Sequence, residues 1–549
     1  MRRTCLAVLF VCLANAGPRL AVAAEGDTAT VVAEDHVPLM EGGVAVGSVN
    51  RGDSFPVINV EAGRLVIKRK PYRWLAIEKT VPLSQADALF SEKIRLNPQD
   101  AGAFLARAKV RFVLERFDEC AADCTACLRL EPNALQGFVL RSRAHLDQAE
   151  FSLGLADADR ALLLDATNDE ARHCRATALD ELGRAEEAMR ECDRRIEDQP
   201  SADAYIDRAL LHRKYKRLAE AAEDAGKAIA LEPDELGHHL FRASELNNLK
   251  KHDDALLDLN HVIERDPRHA QALLMRSMVH MNKQNYALAM HDLDEVQQIA
   301  PALLAEALKA RAMVQSKQCE YAAAIRNFTE AILLRPNDLE LLKLRGVALL
   351  ESGQAAEALV DLDAAAALAP DDLDILVWRA KANFADKRED QAVADLDHIT
   401  ARDPENLHAL CMRGLFHAKH ARYDHALAEF DRALQHAKGD RAAVLCWRAA
   451  IYAQSERTKE AIADLSEAIA LEPSQLGPRF LLAGLKLKSG DPRAAVADCD
   501  ELCSKFPTSP EAFRGRASIF DELGEKSKAD ADRKMAAKLE AAAGQAKLN

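Results

Sequence analysis

A chain of 549 residues with 49% apolar but only 5% aromatic content is too long for one compact core and too poor in aromatics for a β-rich one. Its formal charge of −14 disfavours nucleic acid and anionic lipid as partners, because binding to either rests on Lys and Arg neutralising phosphates.

The first residues read as an address. Arg2 and Arg3 precede an apolar run from Cys5 to Ala16, and small residues follow at Ala21, Ala23 and Ala24. Residues 1–24 are therefore expected to be a signal peptide. The run is shorter than the roughly 20 residues a membrane helix needs, and no later segment is both long and uncharged enough, so no integral span is expected. The mature protein is predicted to be exported, periplasmic or extracellular.

Over 25–83 the composition changes to short strand-like runs at Thr30–Ala33, Val44–Val49, Phe55–Val60, Leu65–Lys68 and Trp74–Ile77, separated by Gly42-Gly43, Arg51-Gly52-Asp53 and Ala62-Gly63. Five such strands predict a small barrel. Their layout, from Val46-Gly47-Ser48-Val49 to Trp74-Leu75-Ala76-Ile77, resembles a bacterial SH3-like domain, although the Gly that often precedes the last-strand Trp is missing. The resemblance implies a module that binds peptides or cell-wall material. A module that only caps the end of the downstream domain is the competing reading.

From residue 84 the pattern becomes helical and periodic. Ser84–Leu96 reads as a single helix ending before Pro98, and residues 84–98 are taken as half a repeat. Prolines then recur from Pro98 to Pro507, and with Ala166 and Lys438 standing in for proline every interval is 33, 34 or 35 residues. Each interval holds two apolar-periodic stretches joined by a short polar turn such as Leu182-Gly183-Arg184 or Ser352-Gly353-Gln354. With the proline numbered 32, position 20 is alanine in eleven of thirteen repeats, with Cys120 and Gly154 in the other two. Position 24 is mostly larger and apolar, as at Phe328, Leu362 and Phe430.

The period, the small residue at 20 and the proline at 32 resemble the tetratricopeptide repeat (TPR) over 99–541. The resemblance implies a mainly α fold, a right-handed α-solenoid of about 13 TPR helix hairpins, here preceded by the small β-barrel (SH3-like) module. Residues 542–549 are expected to be a disordered tail. The family usually has Leu at position 7, whereas this chain has Arg there in twelve repeats, and eleven of those have an acid sixteen residues later. The pattern predicts an Arg–acid ion pair within each hairpin. A stripe of free arginines binding acidic ligands is the sharper alternative, but the paired acids would already neutralise it.

No catalytic constellation is present: HExxH, a phosphate-cradling glycine loop and a GxSxG elbow are all missing from the sequence. No enzyme activity, cofactor or metal is expected. Cys120, Cys124 and Cys127 share one helix face but fall at positions 20, 24 and 27, where small and apolar residues pack. His408, His417, His420 and His425 have no convergent acid or thiol and read as a solvated face.

In the TPR family, positions 2, 5, 9, 12 and 13 face the concave groove. Binders of chaperone tails place Asn at position 9 there, and no repeat of this chain does. The central repeats instead carry Leu240, Leu274, Met278, Met281, Met313, Val347, Leu350, Val377, Phe384 and Leu415 at groove positions. An apolar strip with methionines predicts an extended or amphipathic peptide as ligand in repeats 5–10. Burial of the same side chains by neighbouring helices is the competing reading. The function expected is an exported scaffold or adaptor that binds a protein or peptide. Cell-envelope contact through the N-terminal module is the alternative.

Overall fold

A computed structural model describes the strands within 29–76, the backbone of 80–546 apart from residues 438 and 474, and side chains over 85–540 with the same two exceptions. The expected signal peptide lies outside the described residues. The rest divides into two compact bodies, one ending at Pro301 and one beginning at Ala302.

The N-terminal body opens with seven strands: β1 Ala29–Val32, β2 Val37–Glu41, β3 Val44–Val49, β4 Ser54–Glu61, β5 Arg64–Ile67, β6 Arg73–Ala76 and β7 Thr80–Pro82. All pairings are antiparallel, in the order β3-β2-β6-β5-β4-β1-β7. Sequence reasoning expected five strands and missed β2 and β7. Each contains a proline, Pro38 or Pro82, which cannot donate to a ladder and so reads as linker. Among the described residues no pairing joins β3 to β7, so a closed SH3-like barrel gains no support from these strands.

Helix Leu83–Leu96 follows, and its buried Ala86 and Phe90 pack on Ala106 and Val110 of the first hairpin. It takes the place of a second helix ahead of the first hairpin, and among the described residues no first helix precedes it. Six hairpins complete this body and seven make up the other, each with helix A of 12–14 residues and helix B of 14, except the last. That last helix runs from Lys526 to Ala546 and enters the segment expected to be a tail. The stretch from Lys534 to Ala543 is almost wholly Lys, Met, Ala, Leu and Glu, all strong helix formers, which accounts for the extension.

Helix A is started by a side-chain cap in many repeats. Asp100, Asn168, Ser201, Asp372 and Asn406 each accept a hydrogen bond from a backbone amide of the first turn. The turn to helix B is uniform: position 15 has positive φ in all thirteen hairpins. Only Gly183, Gly353, Gly490 and Gly524 hold it as glycine, and the other nine are residues such as Glu115, Ala149 and Ala421.

Within a hairpin the two helices approach where position 20 meets small residues at position 8. Ala188, Ala221, Ala255, Ala358 and Ala426 are fully buried. The approach is closest where position 24 is bulky. A Cβ added to Gly346 would lie 2.9 Å from Leu362 Cγ, and one added to Gly414 would lie 2.8 Å from Phe430 Cζ. In these two hairpins glycine at 8 leaves room for the large residue at 24.

Candidate functional site

All eleven Arg–acid pairs expected from the sequence are present. The nine Asp partners are each gripped through Nε and Nη2, as in Arg345 to Asp361 at 2.7 and 2.6 Å and Arg516 to Asp532 at 2.8 and 2.7 Å. The two Glu partners are held through one nitrogen each, Arg175 to Glu191 and Arg413 to Glu429. Their longer side chains turn partly toward second cations, Arg194 and Arg432. In the repeat where Arg311 faces Asn327, the Asn amide donates to Gln315 instead. Where Leu482 replaces Arg, Asp498 accepts from Lys486.

Sequence reasoning missed a third partner. Besides its own hairpin's acid, the guanidinium reaches position 25 of the preceding repeat: Ser91 from Arg107, Thr125 from Arg141, Asp193 from Arg208, Thr329 from Arg345, and Asp500 from Arg516. Arg175 does the same through Nε to Asp159, whereas Arg242 meets Gly226. Each such arginine is thus a three-way node within and between hairpins. Where both sides are occupied, the guanidinium is committed to acceptors within the chain.

The cysteine cluster is packing. Cys120 and Cys124 belong to a buried cluster with Ala108, Leu140 and Ala144. Its neighbour Cys120 and burial push the Cys124 thiol well up, and burial pushes Cys127 up to about 11. Among the described residues, His291, Asp292 and Glu295 come within 4.8 Å of one another, but Asp292 is already gripped by Arg276 at 2.9 and 2.7 Å. The histidines of repeat 10 separate. His420 pairs with Glu389 at 2.8 Å, His417 and His425 lie with ring centres 5.4 Å apart, and His408 borders a cleft. Burial, then the neighbouring His425 charge, pulls the His417 pKa down.

The ten groove residues do not form one exposed strip. Leu240, Met281 and Val377 are buried, Leu240 and Val377 in the apolar clusters between stacked hairpins. Leu274, Met313, Val347, Leu350 and Phe384 are half-buried, and Met278 and Leu415 are exposed. Leu240, Leu274, Met278 and Met281 belong to the N-terminal body and the other six to the C-terminal body. Three of the ten are therefore covered by the protein itself, Leu240 and Val377 by residues of both helices of adjoining hairpins.

Two of the ten, Phe384 and Leu415, line a cleft of about 590 Å³. It is formed by helix A of repeats 9, 10 and 11, Leu373–Ala385, Leu407–Lys419 and Arg441–Gln454. Met412, Phe416, Val444 and the exposed Trp447 are also in its apolar wall, while Lys381, His408, Lys419 and Asp440 border it. Phe384 and Phe416 are 5.8 Å apart centre to centre. Aromatics are scarce in this chain, so their gathering here is a local feature. Trp447 sits at position 6, outside the family's groove set, and so escaped sequence reasoning.

The start of the cleft coincides with the end of an ion-pair ladder. Lys309 and Lys343, at position 5 of repeats 7 and 8, each bond to the acid at position 2 of the next repeat, Glu340 and Asp374, at 2.8 Å. Repeat 9 breaks the series with Val377, and repeat 10 places His408 where the acid would be. Where the ladder stops, the face becomes apolar and open.

Models of the tetratricopeptide repeat match residues 242–303, 309–372 and 442–475. The chain is 29% identical over 223 residues to U-box domain-containing protein 70 of Oryza sativa subsp. japonica, covering 40% of this chain and 27% of that protein. It is 27% identical over 144 residues to sperm-associated antigen 1 of Rattus norvegicus, covering 26% of this chain and 16% of that one. It thus spans about a quarter or less of the length of these curated relatives. Among solved structures, yeast Tom70 aligns over 80% of this chain and 96% of its own at 16% identity and a TM-score of 0.40. A tetratricopeptide repeat protein from Parabacteroides merdae aligns over 49% and 92% at 18% identity and a TM-score of 0.35. The chain carries tetratricopeptide repeats. Among the described residues no helix is long and apolar enough to cross a membrane.

Proposed function

We propose that this tetratricopeptide-repeat chain is a scaffold that binds a segment of another protein, and that the segment seats in the cleft on helices A of repeats 9–11. The observation that carries the reading is the cleft itself: about 590 Å³ in volume, mainly apolar in its lining and open to solvent, with Phe384, Leu415, Phe416 and Trp447 in its wall. An apolar side chain entering it gains burial, and the flexible Met412 adapts to the shape that enters. The reading assigns the chain no catalytic step.

Export belongs to the same proposal and rests on Arg2, Arg3, the apolar run from Cys5 to Ala16 and the small residues up to Ala24. Envelope binding through residues 25–83 is the alternative. A chain without those residues that still binds the envelope fraction would remove it.

The test is affinity capture from an extracytoplasmic extract with the parent chain and with Leu415→Glu and Met278→Glu variants of unchanged circular dichroism. Leu415→Glu is expected to lose the captured protein and Met278→Glu to keep it. Retention by Leu415→Glu would remove the cleft as the site.

A further inference from the structure

The apolar cleft does not stand alone. A smaller cavity of about 190 Å³ adjoins it, lined by Leu373, Asp374, Val377, Trp378, Lys381, Asn406 and His408. Lys381 and His408 border both cavities.

The polar groups of the smaller cavity are mostly committed. Asp374 is bonded to Lys343 at 2.8 Å. Asn406 uses both ends of its amide, donating to Asp403 at 3.1 Å and accepting from the Ala409 backbone amide at 3.1 Å. Two donors remain, the Lys381 ammonium, 4.0 Å from the centre of the Trp378 ring, and the His408 imidazole. Among the described residues neither has a carboxylate partner.

The neighbouring lysines of this face are paired. Lys309 and Lys343 are each joined to an acid, and Lys419 across the cleft is held by Glu389 at 2.5 Å. The chain has 87 acidic residues against 73 basic ones, so acids are in ample supply. A lysine resting on an indole beside an apolar cleft is poised for an incoming anion, because the ring orients the ammonium without neutralising it.

We infer that the partner segment carries an acidic side chain that enters the smaller cavity and accepts from Lys381, close in sequence to a bulky apolar side chain seated between Leu415 and Trp447. This rests on the reading of the cleft as a peptide site. The acid lies within the segment and is not a chain terminus, because gripping a terminal carboxylate takes a fixed set of donors and this cavity offers two.

The test is a display library of random segments of about twelve residues, each held between folded flanks so that neither end is free. It is selected against the full chain and against Lys381→Glu and Leu415→Glu, with thermal melts matched to the parent. Lys381→Met replaces Lys381→Glu if the latter does not fold, and should abolish the preference for acid. Segments enriched on the parent are expected to carry Asp or Glu near Trp, Phe or Leu. Changing that acid to its amide should weaken binding about tenfold. On Lys381→Glu the preference should reverse to Lys or Arg.

Segments that depend on Leu415 but show no preference for acid, or keep it on Lys381→Glu, overturn the inference and leave the peptide site standing. Segments indifferent to Leu415→Glu, or no enriched segment at all, overturn both.

Discussion

Replacing Arg345 by alanine takes away the cation that grips Asp361, a residue only 3% exposed. The carboxylate is then buried without compensation. Breaking a buried pair from one side costs about 3–5 kcal/mol, and since the Arg345 side chain keeps 21% of its surface in water the lower end, about 3 kcal/mol, is expected. Asp361→Ala costs less, about 2 kcal/mol, because the freed guanidinium keeps its bond to Thr329 and can turn toward solvent. The double variant leaves no buried charge and should lose about 3 kcal/mol, well short of the roughly 5 kcal/mol that additivity requires. Urea unfolding followed by circular dichroism and tryptophan fluorescence measures all three. Additive losses would refute the buried Arg345–Asp361 pair as a source of stability.

Glu245 sits fully buried at position 10, where other repeats carry apolar residues such as Val110, Val279 and Ile451. Its carboxylate oxygens lack hydrogen bonds, and the nearest cation, Arg213, stands 3.7 Å away. Burial pushes its pKa up and Arg213 only partly opposes this, so Glu245→Leu should stabilise the chain at pH 7 by about 1–3 kcal/mol. As pH falls below the raised pKa the wild-type carboxyl becomes neutral and the gain should fade, which melts at pH 7 and 4 would show. Ala421→Gly, at a φ of 53° in the turn of repeat 10, should raise stability by about 0.5–1 kcal/mol, and a lower melting temperature would count against strain at that position. Gly414→Ala should lower it by about 1–2 kcal/mol: the better helix propensity of alanine is outweighed by a Cβ 2.8 Å from the buried Phe430 ring, and an unchanged melt would show that the ring can yield.

Much of this architecture was legible from the sequence, because a repeated hairpin prints each packing constraint many times over. The small residues at 20, the Arg at 7 and its acid at 23 all lie within one repeat, so comparison of repeats exposes them. The acceptors at 25 were hidden because they serve the following repeat and vary among Asp, Asn, Ser and Thr, sharing only an oxygen. The groove was legible only by analogy of position. Leu240 and Val377 face the next hairpin, and spacing alone does not distinguish a side chain covered by a neighbour from one left open. The cleft depends on where the Lys–acid ladder breaks, a relation between adjacent repeats that is visible at Val377 and His408 once the partners of Lys309 and Lys343 are known.

The nodes also displace the natural place to cut. By sequence the module runs from proline to proline and holds helix A then helix B, but the guanidinium ties helix A to the helix B before it. A fragment excised at a proline would strand its first arginine without one of its acceptors, whereas one beginning a helix earlier would keep the node intact. Helix Leu83–Leu96 is such a helix, and its Ser91 completes the node of Arg107. The unit that best survives transplantation from this chain should thus be helix B with the hairpin that follows it, a frame offset by half a period from the one in which the sequence is spelled.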